Sequence, residues 1–308
     1  MKTILYATDC TENDAKALKY AYRFSCIMKA ELHVLRVYQF PPINLSTIQS
    51  SELVKKRMQQ EQKDIVTKYC ADHLKNEFRQ EPVFIHATEQ ASIANGILDT
   101  AKKLDPDLVI LGMKDSHSNR GLFSGNIANA VLDKIETPLL MVPNGIVYNR
   151  LSTIVYASDF EQEDLLSIKK LIEIARPFNA LIEVVHIHKT DTASAKERMD
   201  KFKNMLLKQV SYPEIGFKTI ASSKIKQGLV NVLNNEKANM LAMLERNRNV
   251  KLTNLFYKDL IKDMGTTVAI PILAFNKGAK IKFNTANAIH NKATQDCEKS
   301  KQNVVLNI

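Results

Sequence analysis

No stretch of this sequence approaches the roughly 18 consecutive apolar residues that a membrane-spanning helix requires. The opening MKTILYATDC is basic and then briefly apolar, but Asp9 interrupts it before a secretory core can form. A cytoplasmic protein with no membrane partner is expected. Cysteine is sparse and unpatterned: Cys10, Cys26, Cys70 and Cys297 form no C-x-x-C and no metal-ligand spacing, so they are expected as reduced thiols. G-x-S-x-G, H-E-x-x-H and G-x-x-x-x-G-K-[ST] are all missing, which leaves nucleophilic, zinc-protease and P-loop chemistry without support. Few aromatics interleave with the basic residues. From Ser222 onward the chain holds 14 Lys/Arg against 6 Asp/Glu, eight of its net ten positive charges. A solvated basic face explains that excess better than nucleic acid as a partner.

What the chain does have is repetition. TILYATD at 3–9 recurs as TIVYASD at 153–159, and AELHVLRVY at 30–38 as ALIEVVHIH at 180–188, both displaced by 150. Farther on, ANGILDTAKKLDPDLVIL at 94–111 corresponds to KQGLVNVLNNEKANMLAM at 226–243, displaced by 132. LFSGN and TPLLMV parallel LFYKD and IPILAF at 133. Matches that keep one displacement over long intervals are the mark of tandem duplication. The expected units are 1–145 and 151–276, joined by a short linker, with a polar and partly ordered tail over 277–308.

Within the first copy, short β-rich apolar runs alternate with longer helical stretches, which argues for parallel strands joined by crossover helices. Strands are expected near 3–8, 32–38, 82–87, 107–112 and 138–142, and helices near 12–29, 50–77, 91–104 and 126–136. The fold class is therefore α/β, as two doubly wound, five-stranded parallel-sheet domains in tandem. Ligands of such sheets sit beyond the carboxyl ends of the strands where strand order reverses, so the loops after Thr8, Val37 and Gly112 are candidates for one site. The final strands TPLLMV and IPILAF each follow a proline, which suits edge strands, and are expected to face each other across the interface.

These residues resemble the universal stress protein family, in a tandem arrangement over residues 1 to about 275. ILYATD resembles the family's first strand ending in an aspartate, and VLRV its second strand. The loop Gly112, x2, Asp115, x9, Gly125, Asn126 resembles the family's G-x2-G-x9-G-[ST] nucleotide motif. The resemblance implies that Ala7, Thr8 and Asp9 border ribose and adenine and that Val37 offers backbone groups to the adenine edge. It further implies that Gly112, Gly125, Asn126 and Ile127 wrap the phosphates of ATP or another adenine nucleotide.

Asp115 replaces the second motif glycine and Asn126 the hydroxyl residue, so the loop is expected to be a phosphate cradle in shape but weakened in charge. A carboxylate there repels phosphate unless a cation such as Mg²⁺ lies between, with Asp9 and Asp115 as its candidate holders. Asn126 is also a good helix N-cap.

The second copy keeps Asp159 and Ile187 but has Leu244, Asn247, Lys258 and Asp259 where the motif wants glycines and a hydroxyl, and is expected to hold no nucleotide. Arg246, Arg248 and Lys251 make its loop basic. His186 and His188 are expected beside the sheet and in a loop; with Asp191 they suggest a metal only weakly. His33, His86 and His117 show no partner at ligand spacing. The resemblance implies a non-catalytic, stress-response regulator that binds an adenine nucleotide in its first copy. The alternative is an interaction scaffold that has lost nucleotide, its copies packed as an internal pseudo-dimer. A protein partner or a homodimer fits either.

Overall fold

The computed structural model describes residues 1–40, 51–79, 82–113, 125–189, 192–245 and 256–276. Asp115, Asn247, the basic residues at 246–251, Asp191, His117, Cys297 and the tail lie outside them.

The first half runs β1 (Thr3–Ala7), α1 (Ala15–Met28), β2 (Glu31–Tyr38), α2 (Ser51–Leu74), β3 (Val83–Glu89), α3 (Ile93–Leu104), β4 (Leu108–Gly112), α4 (Gly125–Leu132) and β5 (Leu139–Val142). The second repeats it as β6 (Thr153–Ala157), α5 (Gln162–Ala175), β7 (Leu181–His188), α6 (Thr192–Leu207), β8 (Ile215–Ala221), α7 (Ile225–Asn235), β9 (Met240–Glu245), α8 (Phe256–Thr267) and β10 (Ile272–Asn276). The strands fall within a residue or two of their expected places, and α4 stops at Leu132, four residues short of its expected end.

The ten strands form one sheet in the order β3-β2-β1-β4-β5-β10-β9-β6-β7-β8. Every neighbouring pair is parallel except β5 with β10, which run antiparallel in the register Ile272↔Met141, Leu273↔Leu140, Ala274↔Leu139. The final strands of the two copies are thus hydrogen-bonded edge to edge. They are not outer edges of the completed sheet: each half's exposed row of backbone donors and acceptors is satisfied by the other's.

Strand alternation divides the core. Ile4 and Tyr6 face the layer of α1, α2, α5 and α6, while Leu5 and Ala7 face α3, α4, α7 and α8. All four are fully buried, as a sheet covered on both faces requires. Across the seam, Phe24 stacks on Phe178 at 5.5 Å and Tyr20 meets Tyr148 edge-on at 5.2 Å. The buried Lys170 lies 3.1 Å from Glu173 and 3.9 Å from Asp107 of the other half.

Asp107 also accepts the backbone N–H groups of Lys2 at 2.6 Å and Thr3 at 3.2 Å. Burial pushes its pKa up, but those donors and the charge of Lys170 outweigh it and hold the carboxyl below its ordinary value. Asn239, displaced by 132, clamps the start of β6 in the same way, accepting from Ser152 and Thr153 N–H at 2.9 and 3.0 Å.

Candidate functional site

β1 and β4 lie side by side, Ala7 opposite Leu111, with β2 on the far side of β1. Strand order reverses between β1 and β4, so their carboxyl ends open the crevice where doubly wound sheets take ligands. Ala7 and Thr8 are buried there, and Asp9 is 5% exposed. Gly112 closes β4, and Gly125 opens α4, with Asn126 exposed and Ile127 half-buried in its first turn. The first half therefore converges Ala7, Thr8, Asp9, Val37 and Gly112 on one crevice, and begins α4 at the motif's last glycine. An N-terminus of this kind presents unsatisfied N–H groups to an anion.

The turn out of β1 has a specific construction. Cys10 adopts φ 59°, a left-handed conformation costly for a residue with a Cβ. Two contacts hold the turn. The Cys10 N–H donates to Thr8 Oγ1 at 2.9 Å, and Asp9 Oδ1 accepts both Thr11 N–H at 3.0 Å and Thr11 Oγ1–H at 2.7 Å. Asp9 is thus a loop-capping carboxylate, its Oδ1 committed to an Asx turn. The Asp9 carbonyl is fixed in turn by Arg36, whose Nη1 donates to it at 2.8 Å while its Nε donates to Gln62 at 2.9 Å. Burial raises the Cys10 thiol pKa, opposed in part by Arg36.

Val37 is placed from two sides. A Cβ at Gly96 would come within 2.6 Å of Val37 Cγ1, so the absent side chain lets α3 close on β2. Thr8 N–H donates to the Leu35 carbonyl and Gln90 N–H to the Tyr38 carbonyl. Ladder alternation then turns the carbonyl of Val37 toward β1, beyond the point where that strand ends.

Asp14 belongs to the site as well, and the sequence motifs did not mark it. It is buried at the head of α1, and a Cβ added to Gly112 would sit 2.1 Å from its Oδ1. A side chain at Gly112 would therefore require the Asp14 carboxylate to shift, apart from any ligand. The signal available was the repeat itself, since Asp14 and Asp164 are 150 apart, as are Tyr6 and Tyr156. Burial, then the charge of Asp14, drives the hydroxyl pKa values of Tyr6 and Tyr69 well up, so both stay neutral beside it.

The second half builds the same turn with different contents. Phe160 has φ 59° where Cys10 does, and its N–H donates to Ser158 Oγ at 2.8 Å. Asp164 accepts from Tyr156 OH and Ser158 Oγ–H, each at 2.8 Å. Leu244, equivalent to Gly112, is buried, as is Glu245 beside it. Lys258 and Asp259, which correspond to Gly125 and Asn126 at the start of α4, fall in α8. Arg198 Nη2 donates to the Asp159 carbonyl at 2.5 Å, the position that Arg36 serves in the first half. Ile187 packs against Gly228 as Val37 does against Gly96.

Two histidine expectations need correction. His188 is the last residue of β7 and buried, not a loop residue, because pairing with Ala221 carries the strand through it. His33 and His86 do meet: they sit on adjacent strands with ring nitrogens 2.8 Å apart, a contact that their separation of 53 residues concealed. Burial lowers the pKa of both. Among the described residues, no group of three or more His, Cys, Asp or Glu could hold a metal, and no helix is long and apolar enough to cross a membrane.

The comparisons with known proteins agree with this geometry. Residues 1–143 match the model of the universal stress protein family. A universal stress protein from Archaeoglobus fulgidus DSM 4304 is similar in structure at a TM-score of 0.66 and 14% identity, over 90% of this chain and 98% of that one. A Pseudomonas aeruginosa UCBPP-PA14 protein assigned to the same family follows at 0.60 and 14%, over 90% and 94%. The cytoplasmic domain of a prokaryotic cation chloride cotransporter has the fold too, at 0.52 and 12% over 91% and 96%. No curated protein matches in sequence. Over residues 1–143, the chain is thus similar to the universal stress protein family.

Proposed function

We propose that the protein is a stress-response regulator whose first half binds an adenine nucleotide without turning it over, while its second half completes the sheet and holds no nucleotide. The units 1–145 and 151–276, with 277–308 as a tail, are part of this reading. One observation carries it. The halves share a hydroxyl residue and an aspartate after the first strand, but where the first has Cys10 and Gly112 the second has the buried side chains of Phe160 and Leu244.

Ala7, Thr8 and Asp9 then border ribose and adenine, and the Val37 carbonyl faces the adenine amino group. Gly112, Gly125, Asn126 and Ile127 receive the phosphates. Asp115 opposes the terminal phosphates: a like-charge contact at roughly 4 Å and an effective dielectric of about 20 costs about 4 kcal/mol before screening. Adenosine and AMP are therefore expected to bind comparably to ATP when Mg²⁺ is absent. The described residues offer Mg²⁺ no preformed cluster, and no step is assigned to it. With Asp9 Oδ1 engaged by Thr11, that oxygen serves the loop before it serves as a base.

The test is calorimetric titration of the full chain with ATP and adenosine, beside analysis of nucleotide released from denatured protein. Asp115→Gly should improve ATP affinity far more than adenosine affinity, and Gly125→Leu should abolish both. Absence of binding by the unaltered protein, together with none extracted, would favour the interaction scaffold. That reading draws on the seam between β5 and β10, which makes the chain its own pseudo-dimer.

A further inference from the structure

At the amino ends of β4 and β5, the opposite end of the strands from the nucleotide crevice, lies a cavity of about 420 Å³ that the proposed function leaves unused. It sits where the C-terminal ends of α3 and α4 come together. Leu98, Ala101 and Ile135 give it an apolar floor, and the exposed Asp99, Asp105 and Glu136 stand on its rim.

The sheet brings the end of β10 to this place. In the antiparallel seam Ala274 lies opposite Leu139, so one further step sets Asn276 opposite Thr137, which is part of the cavity wall. The contact is made: Asn276 Nδ2 donates to the Leu132 carbonyl at 3.1 Å and also to the carbonyl of Ile135. The residue that ends β10 therefore caps the helix that forms one side of the cavity. The sequence that follows Asn276 is Lys-Gly-Ala-Lys-Ile-Lys-Phe at 277–283. Seven residues reach about 24 Å when extended, more than enough to cross it.

The chemistry is complementary. Lys102 and Lys134 also line the cavity and offset two of the three carboxylates, but two helix C-termini add partial negative charge there, each equivalent to about half an elementary charge. Lys277, Lys280 and Lys282 supply the opposite sign, and Ile281 and Phe283 supply apolar side chains for the floor.

We propose that the groove between the C-terminal ends of α3 and α4 is a docking site for the chain's own segment 277–283, held by lysines on its acidic rim. This is independent of nucleotide binding. The site admits a basic, apolar peptide, and the sequence after Asn276 is one.

Carbodiimide cross-linking of the full-length chain, mapped by mass spectrometry, tests it without cutting the protein. Lys280 or Lys282 should join Asp99, Asp105 or Glu136 within a single molecule. Lys280→Glu with Lys282→Glu should lose those linkages. Adding Asp105→Lys and Glu136→Lys to the same chain should restore them with the partners' chemistry exchanged. Linkages of the tail lysines to other faces, linkages found only between two molecules, or no linkage at all would overturn the proposal.

Discussion

The two halves of the chain share a backbone and differ at the carboxyl ends of the same strands. Cys10 and Phe160 share a left-handed turn with φ 59° in both halves, and Thr8 and Ser158 hold it with the same hydroxyl contact. Gly112 and Leu244 then part company. In the first half, a Cβ at Gly112 would stand 2.1 Å from Asp14 Oδ1, so a side chain there would displace that carboxylate. In the second, the carboxylate of Asp164 is drawn to Tyr156 and Ser158, and Leu244 is buried. The aspartate at this position lies against a bare glycine in one half and is accompanied by a buried leucine in the other. The backbone of a site can thus outlast its contents, and the fold alone does not say which half still receives a ligand.

The largest expected effect comes from emptying the filled end. Leu244→Gly removes a buried leucine and should lower unfolding stability by about 3–5 kcal/mol in denaturant titration, in the range of large-to-small core changes. It should leave ATP and adenosine affinity of the first half unchanged; a gain of a second binding equivalent would show that Leu244 alone had closed the site.

Filling the open end is the converse. Gly112→Leu drives a side chain onto Asp14 and Ala17, 2.1 and 3.1 Å from its Cβ, and should cost about 1–3 kcal/mol by thermal or chemical unfolding. Asp14→Ala should relieve part of that cost in a double-mutant cycle. Additive effects in the cycle would mean that Asp14 is not what keeps the position a glycine.

Gly96→Val and Gly228→Val probe the helix that closes beside each end. The new Cβ would meet Val37 Cγ1 at 2.6 Å or Ser222 Cβ at 2.8 Å. Similar losses of about 1–3 kcal/mol are expected for the pair, but only Gly96→Val should also weaken nucleotide binding, since only there does the neighbouring strand serve the ligand.

The smallest effect concerns acid. Asp107 and Asn239 clamp the first residues of β1 and β6 alike, yet only Asp107 titrates. Its pKa is depressed in the folded state, so the stability it contributes is present above its unfolded value, about 3.9, and is lost as pH falls through the lower folded value. Asp107→Asn should flatten the pH dependence of stability in that acid window and lower stability near neutrality, where the carboxylate's contribution is fully present. An unaltered acid profile would assign the window to other carboxylates.

Much of this was legible in the sequence because the repeat fixes correspondence without any alignment. Displacements of 150 and 132 located both copies, and the strand runs placed β1, β2, β4 and β5 because buried parallel strands read as short apolar runs. The loops after Thr8, Val37 and Gly112 followed as candidates from the switch-point rule. What stayed hidden was every contact between distant segments. Nothing local announces that His33 meets His86, that Arg36 holds the carbonyl of Asp9, or that Asp14 leans on Gly112. The prolines before β5 and β10 suggested edges, correctly for each half alone, but pairing between copies is a property of the assembled sheet.

The seam between β5 and β10 has a consequence beyond architecture. Two separate copies joined this way would come apart on dilution, and every substitution would appear in both. Here the residues 143–150 tether the partners, so each meets the other at an effective concentration that dilution does not change. A substitution is also made only once. Association no longer depends on how much protein the cell makes, and each half is free to mutate without obliging its mate to follow.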